Sequence, residues 1–277
     1  MMYRRGVSSR IIHSGRTRPI LIGLGGDSGS GKHTARDLLA DILGAEHVLS
    51  VDGDDAHRWE RGDPMYKIVS HLAPAANDLY LQLRHAQALG EGDVIAKMSY
   101  DHRTGRFSEV NEVSPRRFVF FVGLHPFYLK SMRELLDLRI FMDTEEELRA
   151  SWKLQRDVRQ RGYSSTQVLE QLETREADAE RYIRPQHAFA DLVVRYYRPA
   201  GRTDDSRLGI ALRFPNDASL VRPLAERLAA LSPRGLVVRH EHGLIHQTLE
   251  VDGEVTPDEV GAASGALFGP TVPLLAP

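Results

Sequence analysis

Short apolar runs alternate along the first two-thirds of the chain with longer stretches whose apolar residues recur at helical spacing. The run 19-PILIGLGG-26 reads as a buried strand, and 47-HVLSVD-52, 117-RFVFFVG-123 and 138-LRIFMD-143 repeat that pattern. After the first strand, 34-TARDLLADILG-44 carries a helical stripe and closes on glycine; further helices are predicted over 77–90, 127–136, 144–161 and 164–181. Strands alternating with helices predict an α/β chain, a parallel sheet with helices on both faces.

Turn formers and polar residues gather in 199-PAGRTDDS-206, which predicts a boundary. Beyond it, 207-RLGIALRF-214 reads as a strand and 218-ASLVRPLAERLAAL-231 as a helix, while 235-GLVVRHE-241 and 243-GLIHQTLEVD-252 read as strands joined by a tight turn. This small α+β piece, 201–277, is too short to bury much core alone and is expected to dock on the main domain over 18–200. The basic stretch before it, 1–17, lacks the apolar segment of a secretory signal and is expected to be a flexible arm.

Composition narrows the function classes. Of the 277 residues 42% are hydrophobic and 27% charged, as in an ordinary globular chain, and the net charge of −2 gives no footprint for nucleic acid. No apolar run is long enough to span a bilayer, so no membrane partner is expected. The absence of cysteine removes thiol chemistry and fits the cytoplasm. Among 36 basic side chains the lysines are only Lys32, Lys67, Lys97, Lys130 and Lys153, which points to positions that need a compact ammonium.

The segment 26-GDSGSGKHT-34 lies between the first strand and the first helix, where a phosphate-binding loop belongs. Gly26, Gly29 and Gly31 let the backbone curl, so that amides of Asp27, Ser28 and Ser30 can face an anion at the helix N-terminus. Lys32 adds a point charge for the terminal phosphates. The residue after that lysine is normally a hydroxyl that touches the metal, but here it is His33, with Thr34 one position late. Imidazole is a poor ligand for magnesium, so Thr34, Ser30 or a water is expected to take that place, or His33 to touch phosphate directly.

A second cluster follows the second strand: Asp54 and Asp55 in 51-VDGDDAHRWERGD-63 can accept a hydroxyl proton and hold a metal. Here the chain resembles the phosphoribulokinase and uridine kinase family, phosphoribulokinases of the plant and cyanobacterial type above all. The stretches that carry the likeness, in order, are GDSGSGKHT, DDAHRWER, 67-KIVSHLAPAAND-78, 97-KMSYDHRTG-105, GLHP at 123–126, 153-KLQRDVRQRGYS-164 and 184-RPQHAFAD-191. The resemblance covers about 18–200 and implies a P-loop kinase domain using ATP with Mg2+ or Mn2+, and a homodimer. It implies Asp54 as general base, with His57, Arg61, Lys67, Lys97, Tyr100, His102 and His125 around a phosphosugar. Lys153 and Arg156 would neutralise the transferring group; Asp54, Asp55 and Thr34 would serve the metal. Independently of the likeness, Lys153 and Arg156 are spaced to share a helix face, and Arg156, Arg159 and Arg161 form a basic stripe.

The chain also departs from the family pattern. The family carries a glutamate just before the glycine of GLHP, and this chain has Val122. His33 and Val122 alter the same task, holding a cation near the terminal phosphates. Three functions therefore remain open: a sugar-phosphate kinase with ribulose 5-phosphate as first candidate, a nucleotide-binding pseudokinase, and a uridine-type kinase. Single histidines such as His71 and His187 read as packed or surface residues, and 240-HEHGLIH-246 as strand, turn and strand rather than a metal site.

Overall fold

The computed structural model describes residues 18–201, 208–218, 222, 223, 225, 226 and 237–252. The N-terminal arm over 1–17 and most of the helix expected over 218–231 lie outside the described residues. By contact density the described chain forms two compact units, one up to Ala190 and one from Asp191 onward.

The first unit is α/β. Strand β1 (Ile20–Gly26) leads through the glycine loop into helix α1 (Lys32–Leu43), and β2 (Val48–Asp52) follows. Helices α2 (Pro64–Ile68) and α3 (Leu79–Glu91) come next, then four short strands: β3 (Ile95–Lys97), β4 (Tyr100–Asp101), β5 (Arg106–Phe107) and β6 (Asn111–Val113). The chain continues through β7 (Phe118–Gly123), α4 (Lys130–Leu135), β8 (Leu138–Met142), α5 (Glu146–Arg161) and α6 (Ser165–Thr174). A short α7 (Glu176–Asp178) runs into a π turn at Ala179–Ile183.

β1 pairs in parallel with β7 on one side and β8 on the other, and β7 pairs in parallel with β2. Leu21–Gly26 of β1 and Phe118–Val122 of β7 are buried at every position. Successive strand side chains leave opposite faces, so both faces of this sheet are covered. Phe127 packs directly on β1: a Cβ at Gly23 would stand 2.5 Å from its ring, so only glycine admits the contact. Gln186 fixes that approach by accepting from the Phe127 amide at 2.9 Å, and α4, expected over 127–136, runs over Lys130–Leu135. The helix expected over 164–181 is instead broken after Thr174.

The second unit is antiparallel. β9 (Leu192–Tyr197) pairs with β10 (Gly209–Pro215), β10 with β12 (His246–Asp252), and β12 with β11 (Val237–His242). Ala225, Leu249 and Val251 form its small core with Ile210, Leu212 and Phe214. HEHGLIH spans the β11–β12 hairpin, closed by the Gly243 amide donating to the His246 carbonyl at 2.8 Å.

Candidate active site

The ends of β1, β2 and β7, the glycine loop and α5 surround a cavity of about 480 Å³. Its first wall is the loop. Gly29 has φ +87°, and a Cβ there would meet Lys153 Cβ at 2.8 Å and the Arg149 carbonyl at 2.9 Å. The loop therefore lies flat on α5. Arg149 Nη1 donates to the Ser28 carbonyl at 2.9 Å, Arg156 Nη2 to Ser28 Oγ at 3.2 Å, and Thr144 Oγ1 to the Ser30 carbonyl at 2.9 Å. Ser28, Gly29, Ser30, Gly31, Lys32, His33 and Thr34 all line the cavity. Gly26 and Asp27 sit behind it, and the Lys32 ammonium donates to their carbonyls at 2.9 and 2.7 Å. Burial brings the Lys32 ammonium down to about 8.

Asp54 faces the loop from the turn after β2. His102 Nε2 lies 2.7 Å from Asp54 Oδ2, and His57 Nε2 lies 3.3 Å from Oδ1. Burial would raise this carboxyl, but the His57 charge and the hydrogen bonds from His102 and His57 outweigh it and hold Asp54 well below the usual carboxylate range. Burial works against the His57 charge as well, and the Asp54 carboxylate raises its pKa in return. The orientation of His57 is set one step further back. Asn77 Nδ2 donates to the His71 and Ala73 carbonyls at 3.0 Å each, so Asn77 Oδ1 must accept the proton of His57 Nδ1 at 2.8 Å. Asn77 was visible in the Ala-Asn-Asp string but carried no role in the sequence reading.

The third wall is the last half of α5. Asp157 is 1% exposed and gathers Lys153 Nζ at 2.6 Å, Arg156 Nε at 2.8 Å and Arg161 Nε at 3.5 Å. Burial would raise Asp157, but the charges of Arg156 and Lys153 and the Lys153 hydrogen bond outweigh it and keep it ionised. Burial lowers Lys153 itself. Arg161, Arg175, Gln171, Tyr66 and Tyr163 also line the cavity. Of these only Arg161 carried a reading from the sequence, as part of the stripe with Arg156, which also lines the cavity, and Arg159, which is exposed and outside it.

Not every expected residue reaches the cavity. Tyr100 does, with its hydroxyl buried and without a hydrogen bond. Lys97 and Asp55 instead pair with each other, and the second Asp55 oxygen accepts from the Tyr100 amide at 2.8 Å, so neither is free for substrate or metal. Arg61 lies behind the wall, donating to the His102 carbonyl with its guanidinium 5.0 Å from the Tyr163 ring centre. Lys67 is exposed on α2, and His125 is buried and bonded through Nε2 to the Leu72 carbonyl at 2.8 Å. Burial takes His125 down to about 4, so it is a neutral packing residue.

His71, expected to be a packed or surface residue, is buried and lines the cavity with neither nitrogen hydrogen-bonded. Its ring stands edge-on to His57 and Tyr66, at 4.1 and 4.2 Å between centroids. Burial and the His57 charge pull it down to about 3, so it offers a neutral imidazole to whatever occupies the cavity. His187 stays at the surface, bonded to the Arg184 carbonyl.

Val122 is buried at the β7 end and lines the cavity, and no carboxylate stands at that position. Among the described residues no group of three acidic or histidine side chains is arranged to hold a metal ion. Asp52 Oδ1 is buried beside His33 and accepts no hydrogen bond. That open carboxylate oxygen at the mouth of a phosphate loop fits a divalent cation whose remaining ligands are phosphate oxygens.

Comparison with known proteins places the chain in a family. The chain is 37% identical over 177 residues to a phosphoribulokinase of Synechocystis sp., which covers 64% of this chain and 53% of that protein. It is 33% identical over 227 residues to a chloroplastic phosphoribulokinase of Triticum aestivum, covering 76% of this chain and 56% of the relative. The chain thus spans about half the length of the curated relatives it matches. A phosphoribulokinase structure from Rhodobacter spheroides shares the fold, with a TM-score of 0.66 at 21% identity over 91% of this chain and 95% of that one. The family model for "Phosphoribulokinase / Uridine kinase family" matches residues 21–200, and the chain belongs to that family.

Proposed function

We propose that this chain transfers the terminal phosphoryl group of ATP to a hydroxyl of a small phosphosugar, with ribulose 5-phosphate the first candidate. The observation that carries the reading is the Asp54 carboxylate, kept ionised by two histidines, opposite a phosphate loop and the Lys153–Arg156 face. The loop amides and Lys32 hold the nucleotide phosphates, while Lys153, Arg156 and Arg161 neutralise charge on the group in flight. Asp54 takes the proton as the acceptor O–H bond breaks; the oxygen bonds to the terminal phosphorus and the bond to the ADP oxygen breaks. His57 and His102 hold Asp54 in place and stabilise its charge until the acceptor arrives. A divalent cation, to which the Asp52 oxygen without a hydrogen bond could be a ligand, would neutralise charge on the terminal phosphates. Arg175, with Tyr66, Tyr163 and Tyr100, is the cationic and hydroxyl-rich end of the cavity, suited to the acceptor's own phosphate.

Release of ADP is to be measured with ribulose 5-phosphate, other pentose phosphates, uridine and cytidine, under magnesium and under manganese. Phosphoryl transfer to one pentose phosphate is expected, falling by about 10²–10⁴-fold in Asp54→Asn. Equal rates in wild type and that variant would remove Asp54 as the base. Val122 favours a second reading, a nucleotide binder without turnover, because β7 brings no carboxylate to the cavity. That reading predicts nucleotide binding and no acceptor-dependent ADP under either metal.

A further inference from the structure

The last residue of β2, Asp52, is paired in parallel register with Val122 of β7. Register mates on neighbouring strands send their side chains to the same face of the sheet. Their backbones are therefore one strand spacing, about 4.8 Å, apart, and both residues line the cavity. From the other side, the second residue of α1 reaches across: His33 Nε2 is 3.5 Å from Asp52 Oδ1. That oxygen is enclosed by protein yet receives no hydrogen bond. Arg36 Nη1 is 3.7 Å away, held off by its closer pairing with Asp37 at 2.7 Å. A buried acceptor left open is costly unless something else fills it.

Two ligands of one cation at about 2.1 Å and right angles to each other stand about 3 Å apart, so this nitrogen and oxygen need only a small closure to share an ion. Thr34, one residue on, lines the same cavity. With no third acidic or histidine side chain arranged around the point among the described residues, phosphate oxygens and water must complete the shell.

We infer that His33 and Asp52 form the protein half of a divalent-cation site completed by the nucleotide's phosphates, tuned by its imidazole nitrogen toward Mn2+ or Co2+ and away from Mg2+. The inference rests on the nucleotide reading above and adds which ion the loop takes and through which atoms. The carboxylate missing from β7 is supplied by the neighbouring strand, and the residue that replaces the usual hydroxyl becomes its partner.

The test uses the full chain with Mn2+ and the non-hydrolysable β,γ-methylene analogue of ATP. Pulsed electron paramagnetic resonance should show imidazole nitrogen coupled to the bound Mn2+ in wild type and lose it in His33→Ser. Mn2+ affinity should fall by about tenfold or more in His33→Ser and in Asp52→Asn, and His33→Ser should prefer Mg2+ more than wild type does. A wild-type spectrum without imidazole coupling, or an Asp52→Asn chain that holds Mn2+ as tightly as wild type, would overturn the inference. Binding of a fluorescent ATP analogue without metal is measured in parallel. Nucleotide binding with no imidazole coupling sinks the metal assignment alone; no nucleotide binding at all sinks both.

Discussion

Lys32 shows how far one residue's role depends on its surroundings. Its position after Gly31 made it a phosphate ligand on paper, but in the fold its ammonium is turned onto the loop's own carbonyls and brought to about 8 by burial. Only the charged form can bind phosphate. Nucleotide affinity is therefore expected to fall above about pH 8, by up to about tenfold per unit, with proton uptake on binding. Calorimetry in buffers of different ionisation enthalpy reads that uptake; an affinity flat from pH 7 to 9.5 would contradict it. His71 makes the converse point. A lone histidine gives no sequence signal, and only its unpartnered nitrogens in the cavity mark it. His71→Ala is expected to raise KM for the acceptor by about tenfold while changing kcat less, as loss of a hydrogen bond common to ground and transition states does. Steady-state kinetics with the preferred acceptor decides this. Asp54, His57, His102, Lys153 and Arg156 were legible because each sits in a multi-residue string. Asp55, Lys97 and His125 belong to the same strings yet support the site from behind, a distinction that spacing does not carry.

At the scale of elements, β1, β2, β7, β8, α1, α3 and α5 followed from period and punctuation, although α1 fully buries only Lys32 and α5 buries Arg149, Lys153 and Asp157 beside Leu148. β9 was missed altogether, and so were the two hairpins β3–β6 and β4–β5, which are two or three residues per strand and largely polar. The break after Thr174 has no proline or glycine to announce it; Arg184 instead pairs with Glu176 across the π turn, at 2.5 Å. Helix α5 matters most to the site, since one buried carboxylate, Asp157, organises three of its cations. Asp157→Asn leaves Lys153 buried without its counter-charge and is expected to destabilise the fold by about 3 kcal/mol. Urea unfolding at pH 7 measures it, and a loss under about 1 kcal/mol would show that the cations find water or other partners.

For the whole molecule, the buried histidines set the response to acid. His71 and His125 titrate at about 3 and about 4 in the folded chain, pulled down by burial from an ordinary 6.5. Their folded pKa values are depressed, so the stability they contribute is present above 6.5 and is lost as pH falls toward 4 and 3. His57, raised by Asp54 against its own burial, acts oppositely: its contribution is present below 6.5 and lost as pH rises through its raised value. Two large shifts oppose one, so the thermal midpoint is expected to drop between pH 6.5 and 4, with a shallower slope in His125→Gln. Differential scanning calorimetry across that range tests it; a midpoint that rises on acidification would reverse the balance. No helix of the described residues is long and apolar enough to cross a membrane.

The sequence by itself determined the alternation of buried strands and helices, the phosphate loop, and the residue types of an acid–histidine–lysine–arginine site. These are local properties: burial period, glycine conformation and spacing along one segment. Tertiary structure alone decided which charges are open to a ligand and which are satisfied inside the protein, because that depends on atoms far apart in sequence. Asp54 and Asp55 are neighbours in the chain, yet one meets His57 and His102 in the cavity and the other is closed off by Lys97. Asp52 gains its place only because β2 lies beside β7 in register with Val122.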